Sequence, residues 1–507
     1  TYDIDNNVTN TVTQSVSIAA TGATLSGTTT QAASAGIADF TGNSLALTGT
    51  VGTKTLTASV VINGTTFTSN SLSIQLTAGT ATKLGLTQNA LGAASRKVIT
   101  TQPVLEVQDV SGNRVPGRTD TITVSTSGVT LGGDTSMAAV DGTATFANNA
   151  NGLKLSGTVG TYTLTYAATG LTSATQTIAL TFGDASQLMV HTAAADAKAG
   201  IAFVTQPVIW IQDADSNLVT SGVGSGLHIQ ASSSDGTIGG TATVQASSGV
   251  ATFTDLKLSN VTGTYHLAYT ATDNGFTSLS TSQTILLAAG TAVKLGVTVE
   301  PSSGGATGSV FATQPRVAVL DAFNNVVLTD NGRTITASYA NANGGTLSGS
   351  PNLTATTSNG VAIFSGLKFV GTPGTNYSIH FAVASDTLTA TDSANFTVTH
   401  AAATQVVIVQ QPIGGNAVRS PLTVQPIVEI QDQYGNTVTT GADSTRVVTV
   451  NIHSDNGTGR GDLSTGQQTV TAVGGRATFT NVILSDAVIN NNYTLDFTAS
   501  LGSTVTT

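Results

Sequence analysis

The residues best suited to chemistry are short runs of acidic and amide side chains. Asp3, Asp5 and Asn7 in DIDNN, and Asp213, Asp215 and Asn217 in DADSN, set oxygen donors at alternate positions, as calcium-wrapping loops do. Related segments carry Ser111, Phe323 and Tyr434 at the middle position, and none is followed by a bidentate Glu. A hairpin turn held by an Asx side chain accounts for every copy, so no metal is expected there. Arg460, Gly461 and Asp462 form an RGD tripeptide in the Gly-rich stretch NGTGRGDLS, able to offer a cation and a carboxylate to a receptor; a polar turn is the plainer reading. Trp210, the only Trp, stands at an outward strand position where a sugar or another module could stack, or where a loop could cover it. The histidines His191, His228, His266, His380, His400 and His453 show no HxH or HxxxH spacing. With no nucleophile elbow, carboxylate pair or phosphate loop, neither enzymatic activity nor a cofactor is expected.

Composition narrows the partners. The net charge of -10 is spread thinly, and the 17 basic residues form no cluster, which argues against nucleic acid and anionic membranes. Charged residues are 9% of the chain, against roughly 25% in ordinary soluble proteins, leaving a neutral, hydroxyl-rich surface. Cysteine is absent, so disulfides and thiolate zinc sites are excluded and stability must come from sheet cores. No run of 18 apolar residues suits a membrane helix.

The elements that position these side chains repeat. Asp3, Asp109, Asp213, Asp321 and Asp432 recur every 104 to 111 residues, each with an Asn four residues on, which is the length of one small sandwich domain. Before the last four aspartates, Leu105 and Val107, Ile209 and Ile211, Val317 and Val319, and Val428 and Ile430 alternate with Glu106, Trp210, Ala318 and Glu429. That period of two predicts a strand with aliphatic residues inward and the intervening ones outward. A second strand closes on Phe40, Phe146, Phe253, Phe364 and Phe479, the expected core anchors. A third opens on Tyr162, Tyr265, Tyr377 and Tyr493, where a sandwich places a corner tyrosine bonded back to the chain. Helical periodicity is absent, and the sequence predicts an all-β tandem array of immunoglobulin-like sandwiches.

Short linkers at 78–81, 183–186, 289–292 and 400–403 divide the chain into units 1–77, 78–182, 183–288, 289–399 and 400–507, and predict restricted hinges. Two residues precede Asp3 and 14 follow Tyr493, fewer than in the other units, so the first and last units are expected to be incomplete.

The (T/V)QPxxxxQDxxGNxV segment, best kept at Val424–Val438, and the GxATF segment at Gly142–Phe146 and Gly249–Phe253 resemble the bacterial Ig-like, Big-type repeats of giant surface adhesins and invasin- or intimin-like proteins. The resemblance implies an extracellular or cell-surface stalk without catalytic residues, whose partners are other copies of the protein or surface glycans and proteins. The alternatives are a self-assembling coat, S-layer, sheath or filament subunit, and the spacer of a large secreted enzyme.

Overall fold

The computed structural model describes residues 3–147, 150–339, 343–384, 386–414, 419–457, 461–464 and 468–499. Arg460 of the RGD tripeptide lies outside them. The chain is an all-β array of sandwich domains, and the helical content among the described residues is two single 3-10 turns, Val223–Gly226 and Ala442–Thr445.

The pattern is plainest around Asp109. The strands Lys83–Gln88, Val104–Gln108 and Thr143–Thr145 form one antiparallel sheet. The opposing sheet runs Ser136–Ala138, Thr121–Ser125, Gly160–Ala167, Ala174–Thr181 and Ala93–Ala94. Ala93–Ala94 pairs in parallel with the last long strand, so the first segment of the unit crosses from one sheet to the other and ties both together. The order recurs with Gln187–Thr192, Val208–Gln212 and Val250–Thr252 facing the sheet that contains Gly263–Ala271. Among the described residues four core clusters result, spanning Leu84–Leu180, Leu188–Leu287, Leu295–Val398 and Val406–Ala499.

Alternation sets the cores as the sequence predicts. Leu105, Val107, Ile209, Ile211, Val317, Val319, Val428 and Ile430 are fully buried. Ala318, expected to face out, is also buried, its small side chain lying in register between Gly296 and Val361 of the flanking strands. Phe146, Phe253, Phe364 and Phe479 are core anchors, and each donates its amide to the carbonyl of the proline that opens the neighbouring strand. Phe40 departs from the expected burial: it is half-exposed, because the described residues of the first unit supply no counterpart of the Lys83–Gln88 and Val104–Gln108 pair to cover it.

The glycine of GxATF is fixed by geometry. Asp141 and Gly142 both have positive φ, 51° and 78°, as a two-residue type I′ hairpin demands. A Cβ on Gly142 would also overlap the carbonyl oxygen of Val115, so no other residue fits there without moving the backbone.

Candidate functional site at the unit junctions

The shared aspartates sit at the hairpin turns expected of them, but their side chains do more than hold a turn. Asp213 donates its amide to the Asn217 carbonyl at 2.9 Å, and its Oδ1 accepts the amides of Asp215 and Asn217, each at 2.9 Å. Its Oδ2 accepts Asn217 Nδ2 at 2.9 Å and the amide of Gly183, in the linker, at 2.7 Å. Asp109, Asp321 and Asp432 grip Gly79, Gly290 and Ala401 in the same way, at 2.9, 2.8 and 2.9 Å.

The Asn partner reaches backwards across the junction. Asn217 Nδ2 donates to the Gly157 carbonyl at 2.9 Å while its Oδ1 accepts the Val159 amide at 2.9 Å. Asn113 makes the same pair with Gly49 and Val51, at 2.8 and 2.9 Å. Asn325 does so with Asn260 and Thr262, at 3.0 and 2.7 Å. A buried amide side chain therefore satisfies one carbonyl and one N–H of the preceding unit as a strand neighbour would. Each such pair of neutral bonds contributes roughly 1 to 3 kcal/mol to holding the junction closed.

Among the described residues the fourth junction lacks this half of the clasp, and the sequence explains why. Val51, Val159 and Thr262 each stand four residues beyond Leu47, Leu155 and Leu258, which are paired centrally in a short two-stranded ribbon. The equivalent position beyond Phe369 is Pro373, which has no N–H to donate. Among the described residues Asn436 bonds only within its own turn, and it is less buried than Asn113, Asn217 and Asn325.

Electrostatics favours ionised carboxylates. Burial alone would raise Asp109, Asp321 and Asp432, but the N–H donors converging on each hold it below the ordinary Asp value. Asp215 is drawn down to about 2, chiefly by the hydrogen bond from Arg96 of the preceding unit, with burial opposing and Ser95, the Arg96 charge and the Gly157 amide adding to it. Arg96 Nη2 lies 2.7 Å from Asp215 Oδ1, and Arg96 Nε lies 3.0 Å from Oδ2.

The residues with calcium-like spacing are thus brought together around N–H donors. Asp3 accepts the amides of Asp5 and Asn7 at 3.0 and 2.9 Å on an exposed turn. Among the described residues no three His, Asp or Glu side chains converge as a metal-binding group. Trp210 projects outward, as its parity predicts, and stacks on His191 of the neighbouring strand, with ring centroids 3.7 Å apart and planes 8° from parallel. Asp462 is exposed and its carbonyl accepts the Ser485 amide at 2.8 Å, while Gly461 packs against Tyr493. The corner tyrosines bond back as expected: Tyr162 to the Thr158 carbonyl and Tyr265 to the Val261 carbonyl, both at 2.7 Å.

The role of the QP glutamine went unread in the sequence. Gln206 Nε2 donates to the carbonyls of Phe203 and Leu256 at 3.0 Å, and its Oε1 accepts the Leu256 amide at 2.9 Å. Gln102, Gln314 and Gln425 repeat that bracket. Its recurrence at a strand entrance, where any polar residue would serve a solvent-facing role, is the signal that could have found it.

No protein-family model and no curated protein matches the sequence. Among solved structures, the chain is similar to the Escherichia coli adhesin FdeC, at 18% identity and a TM-score of 0.28 over 64% of this chain and 100% of that one. It is also similar to invasin, a bacterial integrin-binding protein, at 12% identity and a TM-score of 0.28 over 84% and 78%. The surface-layer protein SbsC, domains 4–9, aligns at 13% identity and a TM-score of 0.19 over 100% and 74%. At such scores the likeness carries no argument about function, and the fold rests on the strand pairing described above.

Proposed function

We propose that this chain is a non-catalytic stretch of an extracellular or cell-surface protein, built from Big-type Ig-like units with limits near 1–77, 78–182, 183–288, 289–399 and 400–507, and acting as a semi-rigid stalk or spacer in adhesion. The observation that carries the reading is the Asp–Asn clasp, which repeats across three successive junctions and spends buried polar side chains on unit-to-unit orientation. A chain of independent catalytic or binding domains has no need of such a device; a spacer that must hold a distant part away from a surface does. The longest described strands run 8 to 11 residues, which at about 3.3 Å per residue gives each unit roughly 25 to 40 Å of reach, or on the order of 150 Å for the whole stretch. Among the described residues no helix is long and apolar enough to cross a membrane. Negative-stain imaging of the purified chain tests the proposal. Separate rods of about that length support it, compact particles refute it, and sheets or bundles formed by lateral contact would favour a coat subunit instead.

A further inference from the structure

A second contact crosses the last three junctions, and its chemistry changes from one to the next. Its two halves are the residue two places after the shared Asp and a left-handed residue in the preceding unit. Arg96, Gly200 and Gly308 have φ of 63°, 75° and 76°. They are structurally equivalent, since each donates its amide to the central carbonyl of the short ribbon, that of Leu155, Leu258 or Phe369. Facing them across the junction stand Asp215, Phe323 and Tyr434.

The partners match in chemistry and in size. Arg96 meets Asp215 in a two-pronged ion pair, joined by the Ser95 hydroxyl. Gly200 meets the edge of the Phe323 ring, which would come within 2.8 Å of a Cβ at that position and which packs on the core cluster spanning Leu188–Leu287. Gly308 meets the Tyr434 hydroxyl so closely that a Cβ there would overlap it. A charged turn residue is thus paired with the opposite charge, and an aromatic turn residue with the absence of a side chain. Exchanging partners would either leave Asp215 facing a glycine or drive an Arg side chain into an aromatic ring.

We infer that these matched pairs are the specificity determinants of the last three junctions: there each unit carries an end surface that fits the turn of its own successor and rejects the turns of others. The Asp bond to the linker amide is common to all four junctions, and the variable pair decides which neighbour is accepted. The inference deepens the stalk reading and rests on it only for its biological use. Unit order and junction geometry are encoded locally, whatever the stalk presents.

The test is an exchange of partners in the full chain, read as cleavage of the 289–292 linker by elastase, with fragments identified by mass spectrometry. Gly200→Arg alone is expected to speed cleavage there on the order of ten-fold, because the junction must open to accommodate the side chain. Gly200→Arg with Phe323→Asp recreates the Arg96–Asp215 pair and is expected to return the rate to near that of the unaltered chain, while Phe323→Asp alone stays fast. Arg is compatible with this backbone, since Arg96 already adopts it. Circular dichroism melting shows whether the unit itself is folded. Should Gly200→Arg unfold it, the reciprocal set of Arg96→Gly, Asp215→Phe and the double change, read at the 183–186 linker, replaces it. No acceleration by the single changes, or no rescue by the double change, overturns the inference. Imaging can fail to find rods while the rescue holds, so the two readings fall separately.

Discussion

Asn217→Ala separates the grip between units from the stability of either one. The side chain makes one bond to the Gly157 carbonyl and one from the Val159 amide, both in the preceding unit, and further bonds to Asp213 within its own turn. Removing the cross-junction pair costs roughly 1 to 3 kcal/mol of closure, at about 0.5 to 1.5 kcal/mol for each neutral bond. The Asp213 bonds are charge-assisted, and losing them weakens the turn by a further 1.5 to 3 kcal/mol or so. Hydrogen exchange read on overlapping peptides covering residues 157–168 distinguishes the two effects. The Val159 amide should exchange about 5- to 150-fold faster in the variant, the factor that corresponds to the junction loss. The Leu164 and Tyr166 amides, paired within the sheet at Gln176 and Ala174, should keep their protection. Unchanged exchange at Val159 would mean that Asn217 grips nothing in solution. Faster exchange at Leu164 and Tyr166 would mean that the preceding unit depends on its neighbour to stay folded, and either result refutes the reasoning.

Other perturbations follow from the same contacts. Phe253→Ala removes a fully buried ring packed 5.8 Å from that of Tyr269, and should destabilise its own unit by about 3 to 5 kcal/mol while the other units keep their unfolding forces in single-molecule pulling. Pro373→Val supplies the N–H that the fourth junction lacks, and should slow exchange of the Ala401 amide about two- to ten-fold. Acid should loosen the junction at Asp215, whose pKa is lowered to about 2: its contribution, roughly 1 to 2 kcal/mol after allowance for solvent screening, is complete above about pH 4 and is lost as pH falls through about 2. Elastase sensitivity assayed after brief exposure cannot report that window, so the acid titration is read by hydrogen exchange at the Gly157 amide, which donates to Asp215 Oδ2 at 3.2 Å.

Much of the fold was legible because it is written in local periodicity. The alternation around Leu105 and Val107, the Gly142 turn and the corner Tyr162 each depend on residues close in sequence or on a single backbone conformation. Phe40 was misread because burial depends on the covering layer as well as the residue, and the described part of its unit lacks that layer. The junction was legible only in half. Asp213 and Asn217 stood out by recurrence, yet their cross-junction partners are the backbone groups of Gly157 and Val159, which leave no side-chain signature some 60 positions earlier. Pro373 is the exception, since a missing N–H can be read directly. Phe323 and Tyr434 registered only as residues unable to bind calcium. Their meaning appears when each is set beside Gly200 or Gly308 in the preceding repeat, a comparison along the chain that the period of the repeat makes possible.

A semi-rigid stalk requires that the clasp hold adjacent units in one fixed orientation. Because the chain has no cysteine, two introduced cysteines can be spin-labelled cleanly, one on an exposed strand position of the unit around Asp109 and one on the unit around Asp213. Double electron–electron resonance between them should give a single narrow distance distribution, which broadens when Asn217 and Asp215 are both replaced by Ala. A broad distribution in the unaltered chain, or one indifferent to those replacements, would contradict the account.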